Sequence, residues 1–175
     1  LPDAVAFGRE KARRAAAAGF NGLFPLDQQL DVSGLKPAES AARISAANEN
    51  LMRSADLLIA NCTPFRGASM DCGTAFEVGF MRALGRPVLG YINTPLDHRR
   101  RAEMIRALSP LPYDCDRADV EIEDFGLAEN LMIDVAITAS GSSLVRRTVA
   151  PGSEMTDLAG FDACLADARR LLGLS

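Results

Sequence analysis

The chain has 175 residues, 48% hydrophobic content and a net charge of −4, which suits one globular domain over residues 1–175 with a sizeable core. No block of like charges marks a nucleic-acid or membrane-surface partner, and the longest apolar runs, such as 57–60 and 87–90, are far too short to span a bilayer. The cysteines Cys62, Cys72, Cys115 and Cys164 form no C-x-x-C pair and read as reduced thiols of a cytoplasmic protein rather than disulfides or zinc ligands. A single histidine, His98, in an arginine-rich stretch leaves no basis for a histidine triad or a multi-histidine metal site. Acid–base chemistry then falls mainly to carboxylates. No signal peptide is visible, although the chain starts at Leu1 rather than Met.

In chain order, residues 2–18 predict a helix, with proline near its start, many alanines, and Gly19 as its stop. Residues 20–24 predict a short strand ending at Pro25. A polar stretch over 26–36, containing Asp27, Gln28, Gln29 and Asp31, predicts a loop of the aperiodic kind that often carries function. Pro37 opens a second helix to about Ser54, whose apolar stripe runs Ala41, Ile44, Asn48, Leu51, Ala55. Asn48 interrupts that stripe. It either satisfies a neighbouring backbone group, sits at the stripe's edge, or contacts a ligand. Residues 57–60 predict a strand buried on both faces and ending at Asn61, followed by a loop over 62–70. Next come a helix closed by Gly85 and an apolar strand over 87–91. The region 97–106 predicts a solvated arginine-rich helix, and 114–129 an acidic exposed loop. Asn130-Leu131-Met132 starts a helix reaching Ala139. Residues 144–149 predict a last strand, and Leu158, Phe161, Leu165 and Ala168 mark a terminal amphipathic helix. Alternating helices and strands point to an α/β domain with a mostly parallel sheet, whose ligand crevice lies beyond the carboxyl ends of its strands.

The loop after residue 61 delivers the chain to Asp71-Cys72-Gly73-Thr74-Ala75-Phe76-Glu77-Val78-Gly79. From Cys72 to Met81 the only charged side chain is Glu77, so its carboxylate belongs in a poorly hydrated place. A buried carboxylate is costly, and a structural partner or chemistry usually accounts for it. Thr74-x-x-Glu77 also matches a capping box, which would fold Glu77 back onto the helix start. That structural alternative is the commoner one for the motif by itself; placement at the crevice brings the two level. No G-x-G-x-x-G or G-x-x-x-x-G-K-[ST] pattern is present, which argues against dinucleotide or P-loop binding.

Several blocks together resemble the nucleoside 2-deoxyribosyltransferase family. They are Ser54-Ala55-Asp56 through Asn61, Thr63-Pro64-Phe65-Arg66-Gly67, Asp71-x-Gly73-Thr74-Ala75-Phe76-Glu77-x-Gly79, and Leu84-Gly85-Arg86-Pro87-Val88-x-Gly90-Tyr91. The stretch from Gly22 to Asp27 and the run Glu123-Asp124-Phe125-Gly126-Leu127 into Asn130-Leu131-Met132 continue the likeness over about residues 19–140. The resemblance implies a flavodoxin-like sheet of five parallel strands and a homo-oligomer whose sites are completed by a neighbouring subunit. It implies exchange of the base on a 2′-deoxynucleoside, with small-molecule substrates, a place in nucleotide salvage, and neither cofactor nor metal. Glu77 aligns with the family's nucleophile and Asp71 with a second catalytic carboxylate. Asn130, with Met132 beside it, aligns with a sugar contact that reaches a partner's site. Asn48, Asn61, Phe65, Arg66 and Gly67 complete the expected substrate-binding set.

Two departures stand out. The family's first strand has no counterpart, because the chain starts in the helix that follows it. Asn48, where some members carry an aspartate, cannot act as an acid, so the proton for the leaving base falls to Asp71, another carboxylate or water. The chemistry is coherent with these residues: an oxocarbenium-like transition state is stabilised and then trapped by a carboxylate on the opposite face. A helix N-terminus would help keep Glu77 ionised by about 0.3–1 kcal/mol against its desolvation. The alternatives are an N-glycoside hydrolase of 2′-deoxynucleosides or their 5′-monophosphates, and a non-catalytic nucleotide-binding module on the same fold.

Overall fold

A computed structural model describes residues 3–25, 30–108 and 121–174. Its described elements are α1 (Ala4–Ala17), α2 (Pro37–Ser54), β1 (Leu58–Asn61), α3 (Cys72–Ala83), β2 (Val88–Ile92), α4 (His98–Leu108), α5 (Leu131–Thr138), β3 (Val145–Arg146) and α6 (Ala159–Leu171). The three strands pair in parallel in the order β1-β2-β3, with Leu58 opposite Val88, Asn61 opposite Tyr91, and Tyr91 opposite Val145. The α/β class with a parallel sheet and helices on both faces is as expected; among the described residues the sheet has three strands, against the five that the resemblance implies.

β2 is buried along its whole length, and its side chains alternate between two cores, as strand geometry requires. Val88 and Ile92 enter one core with Met52, Ala60, Cys62, Val78, Met81 and Ile137, beneath α2, α3 and α5. Leu89 and Tyr91 enter the other, with Ala15 of α1 and Phe161, Cys164, Leu165 and Ala168 of α6. Between them stands Gly90, where a Cβ would come 2.6 Å from the Ile137 side chain; glycine lets α5 lie close on the sheet.

Some elements differ from their sequence patterns. Residues 20–24 form no strand: Phe24 lies against Gly8 of α1, so close that a Cβ at Gly8 would fall 2.0 Å from its ring. The backbone of 20–24 joins no ladder among the described residues, and a strand exists only through its ladder. β3 is two residues rather than six, extended by one bond from Arg147 N–H to the Ile92 carbonyl; β2 ends there, and the chain beyond pairs with no strand among the described residues. The outer half of the α2 stripe, Ala41 and Ile44, is exposed, and only the last turns around Met52 pack. α4 is not wholly solvated, since Arg101 is buried.

Candidate active site

At the carboxyl end of β1, Asn61 Oδ1 accepts a hydrogen bond from Thr63 N–H at 3.1 Å and turns the chain out of the sheet. Thr63 Oγ1 in turn accepts from Asn93 N–H just after β2, at 3.1 Å, so the loops following two adjacent strands are tied together. The loop over 62–70 closes on itself through Phe65 N–H to the Ser69 carbonyl at 2.9 Å. Arg66 adopts a φ of 59°, a left-handed conformation uncommon for a side chain of this size, and its guanidinium lies 4.7 Å from the Phe65 ring centroid. Arg66 and Gly67 are exposed at the loop tip.

This loop leads into α3, whose N-cap is Asp71: Oδ2 accepts from Gly73 N–H at 2.9 Å. A Cβ at residue 73 would stand 2.9 Å from that same oxygen, so any larger residue there would have the Asp71 carboxylate shift. The Thr74–Glu77 capping box is therefore not formed. Thr74 is already the third residue of α3 and Glu77 the sixth, one turn beyond the reach of an N-cap interaction. At that depth the helix dipole has faded, so the expected dipole support for an ionised Glu77 is lost as well.

Glu77 is half-buried, one turn before the fully buried Met81 and next to the fully buried Val78. It makes no hydrogen bond or ion pair with any described residue. Burial raises its pKa above the ordinary carboxylate value, and the negative charge of Asp71 raises it further. The two carboxylates thus act on one another at the mouth of the β1–α3 loop. Arg53 of α2 stacks on the Phe80 ring of α3 at 4.9 Å, which sets α2, and with it half-buried Asn48, beside the helix carrying Glu77.

Asn130 is the N-cap of α5, accepting from Met132 N–H at 3.0 Å through Oδ1; its amide nitrogen donates to the Glu123 carboxylate at 3.2 Å. Within one subunit its side chain is committed to these partners. Met132 is 72% exposed on the outer face of α5. The polar loop residues Asp27, Gln28 and Gln29 lie outside the described residues.

The largest departure from the sequence reading is Glu129, which the acidic composition of 114–129 placed in an exposed loop. Its carboxylate is wholly buried. Oε2 accepts from Arg101 Nη2 at 2.9 Å, and Oε1 accepts from Ser69 Oγ at 2.6 Å and from Asn130 N–H at 3.0 Å. His98 Nδ1 stands 3.2 Å from Oε1 without the alignment of a hydrogen bond. Arg101 also donates to the carbonyls of Ala68 and Leu96, each at 2.6 Å. Nothing in the local sequence pattern distinguishes Glu129 from the acids before it; an acid directly preceding an N-cap asparagine is the one faint signal.

A hollow of about 410 Å³ lies on the opposite face of the sheet, between α1 and α6, lined by Arg13, Arg14 and Asp162. Those arginines are paired with Glu10 and Asp162, and no carboxylate there resembles Glu77. Among the described residues no cluster of histidines, cysteines and acids is arranged to hold a metal ion, and no helix is long and apolar enough to cross a membrane.

Comparison with known proteins bears on the fold and the family. The structure is similar to the 2-desoxiribosyltransferase from Leishmania mexicana, with a TM-score of 0.57 and 26% sequence identity, covering 82% of this chain and 81% of that one. A protein of Schizosaccharomyces pombe described only as uncharacterized is 35% identical over 108 residues, or 61% of this chain and 50% of the yeast protein. The chain thus spans about half the length of that curated relative. Residues 1–132, which contain β1, α3 and Glu77, match the nucleoside 2-deoxyribosyltransferase profile. The chain belongs to the nucleoside 2-deoxyribosyltransferase family.

Proposed function

We propose that the protein transfers 2-deoxyribose between nucleobases through a covalent deoxyribosyl–Glu77 intermediate. The observation that carries this is Glu77 itself: a half-buried carboxylate, unpaired among the described residues, beside a second carboxylate at the carboxyl edge of a parallel sheet. In the first step a Glu77 oxygen bonds to C1′ as the C1′–N bond breaks. The electron pair leaves with the base, which takes up a proton. In the second step a nitrogen of the acceptor base attacks C1′, the ester bond returns its electrons to Glu77, and the acceptor's proton departs. Two inversions retain configuration. Asp71 commits Oδ2 to the helix cap and keeps Oδ1 for the proton, with water as the alternative carrier; Asn48 carries no proton to give.

Incubation with deoxyinosine and adenine tests the assignment. Deoxyadenosine is the expected product. Free deoxyribose would instead identify a hydrolase, with water replacing the acceptor base, and binding without turnover would identify a non-catalytic module.

The raised pKa of Glu77 sets the pH dependence. The nucleophile must be ionised, so activity falls as pH drops through a value above the ordinary carboxylate range. Asp71→Asn keeps a good N-cap but removes the neighbouring charge. It is expected to move the acidic limb of the kcat/KM profile to lower pH and, through loss of the proton carrier, to reduce kcat by about 10²–10⁴-fold. An acidic limb that stays in place would show that Asp71 does not act on Glu77.

The same proposal includes a homo-oligomer with shared sites, in the cytoplasm. Phe76 on α3 and Met132 and Val135 on α5 are 56%, 72% and 52% exposed, an apolar surface flanking the candidate site. Val135→Glu is expected to shift the protein to a smaller species in sedimentation and to lower exchange; an unchanged mass would remove α5 from the interface. The buried free thiols Cys62 and Cys164, both raised in pKa by burial, suit a reducing compartment.

A further inference from the structure

The buried Glu129–Arg101 pair costs desolvation on both sides and joins α4, the β1–α3 loop and the head of α5. The carboxylate reaches Ser69 of the β1–α3 loop and the Asn130 backbone, while the guanidinium reaches Ala68 and Leu96. Ala68 and Ser69 are therefore held from one side by Arg101 and from the other by Glu129, two residues before the cap residue Asp71. The loop needs such a hold. It contains the positive-φ Arg66, it has exposed residues at its tip, and among the described residues a single backbone bond, Phe65 N–H to the Ser69 carbonyl, closes it on itself.

We infer that Glu129 is the positioning residue of the active site, fixing through Ser69 the loop that aims Asp71 and through the Asn130 N–H the head of α5. The inference rests on Asp71 and Glu77 as the reacting pair. It assigns Glu129 no contact with substrate: the carboxylate is fully enclosed, and its oxygens are occupied. Its effect is on the placement of Asp71, whose charge acts on Glu77, and a displacement of about 1 Å in a reacting group costs on the order of 10²-fold.

Ser69→Ala breaks the link while leaving the buried ion pair intact, and Ser69→Thr restores a hydroxyl. In the deoxyinosine–adenine exchange, Ser69→Ala is expected to lower kcat by about ten- to a hundredfold with KM for deoxyinosine within about twofold, and Ser69→Thr to recover most of it. Amide hydrogen exchange is expected to accelerate within 62–71 and at 130–133 in Ser69→Ala and in Glu129→Gln, and not in β2. A kcat equal to wild type in Ser69→Ala, with the loop amides unchanged, overturns the inference and leaves the pair a fold element alone. Absence of base exchange in the wild type would sink the transferase reading instead; the loop amides would then decide for or against the clamp by themselves.

Discussion

Replacing Glu77 with glutamine is expected to abolish base exchange and to yield a more stable protein. Glutamine matches glutamate in shape and helix propensity, so α3 persists, but an amide does not form the ester with C1′. Loss of the nucleophile should lower kcat at least about 10³-fold, about 4 kcal/mol of transition-state stabilisation at 1.36 kcal/mol per tenfold. The stability gain follows from linkage. Burial and Asp71 raise the folded-state pKa of Glu77 above its ordinary value of 4.5, so the folded protein holds that proton more tightly than the unfolded chain. Stability conferred by the protonated form is complete below the unfolded value and is lost as pH rises through the folded one. At pH 7 the wild type bears the cost of an ionised, half-buried Glu77, and the glutamine variant does not. Tm at pH 7 is therefore expected to rise, each 1 kcal/mol corresponding to about 2–4 °C at this chain length. Full exchange in the variant would remove Glu77 from the mechanism. A fall in Tm would mean that its charge has a structural partner.

Arg101→Met is expected to be the most destabilising single substitution considered. It leaves the Glu129 carboxylate buried without its cation and strips the Ala68 and Leu96 carbonyls of their donors. Breaking a buried pair from one side costs about 3–5 kcal/mol, a large part of the roughly 5–15 kcal/mol that holds a domain folded. The expected fall in Tm is roughly 6–20 °C. Adding Glu129→Gln to Arg101→Met removes the orphaned charge and should return part of the loss, since residues in one network are not additive. An Arg101→Met protein that melts with the wild type would show that water or a rearranged neighbour replaces the guanidinium.

The contrast between Glu77 and Glu129 explains how much of the site was legible in the sequence. Glu77 stands alone in an apolar helix, so its exposure to a dry environment follows from its neighbours in the chain. Glu129 follows a run of acids in sequence and is buried by α4 and the β1–α3 loop, which lie 28 and 60 residues away; only tertiary structure brings them together. Helix boundaries were readable where a strong local signal exists, as at Pro37 for α2 and Asn130 for α5. They misled at α3, where Thr74-x-x-Glu77 fits a capping box but Asp71, three residues earlier, takes the cap with a bond to Gly73. Strands were readable where a partner exists. The pattern over 87–91 became β2, whereas 20–24, equally apolar, lies along α1 with no ladder among the described residues.

The central claim is the covalent intermediate. Mixing the protein with deoxyinosine in the absence of an acceptor base, quenching in acid, and mapping the peptides by mass spectrometry tests it directly. The expected result is one deoxyribosyl group on the peptide spanning 72–81, localised to Glu77, formed in step with released hypoxanthine and discharged when adenine is added. Release of hypoxanthine with no adduct, or an adduct on Asp71 instead, would contradict it.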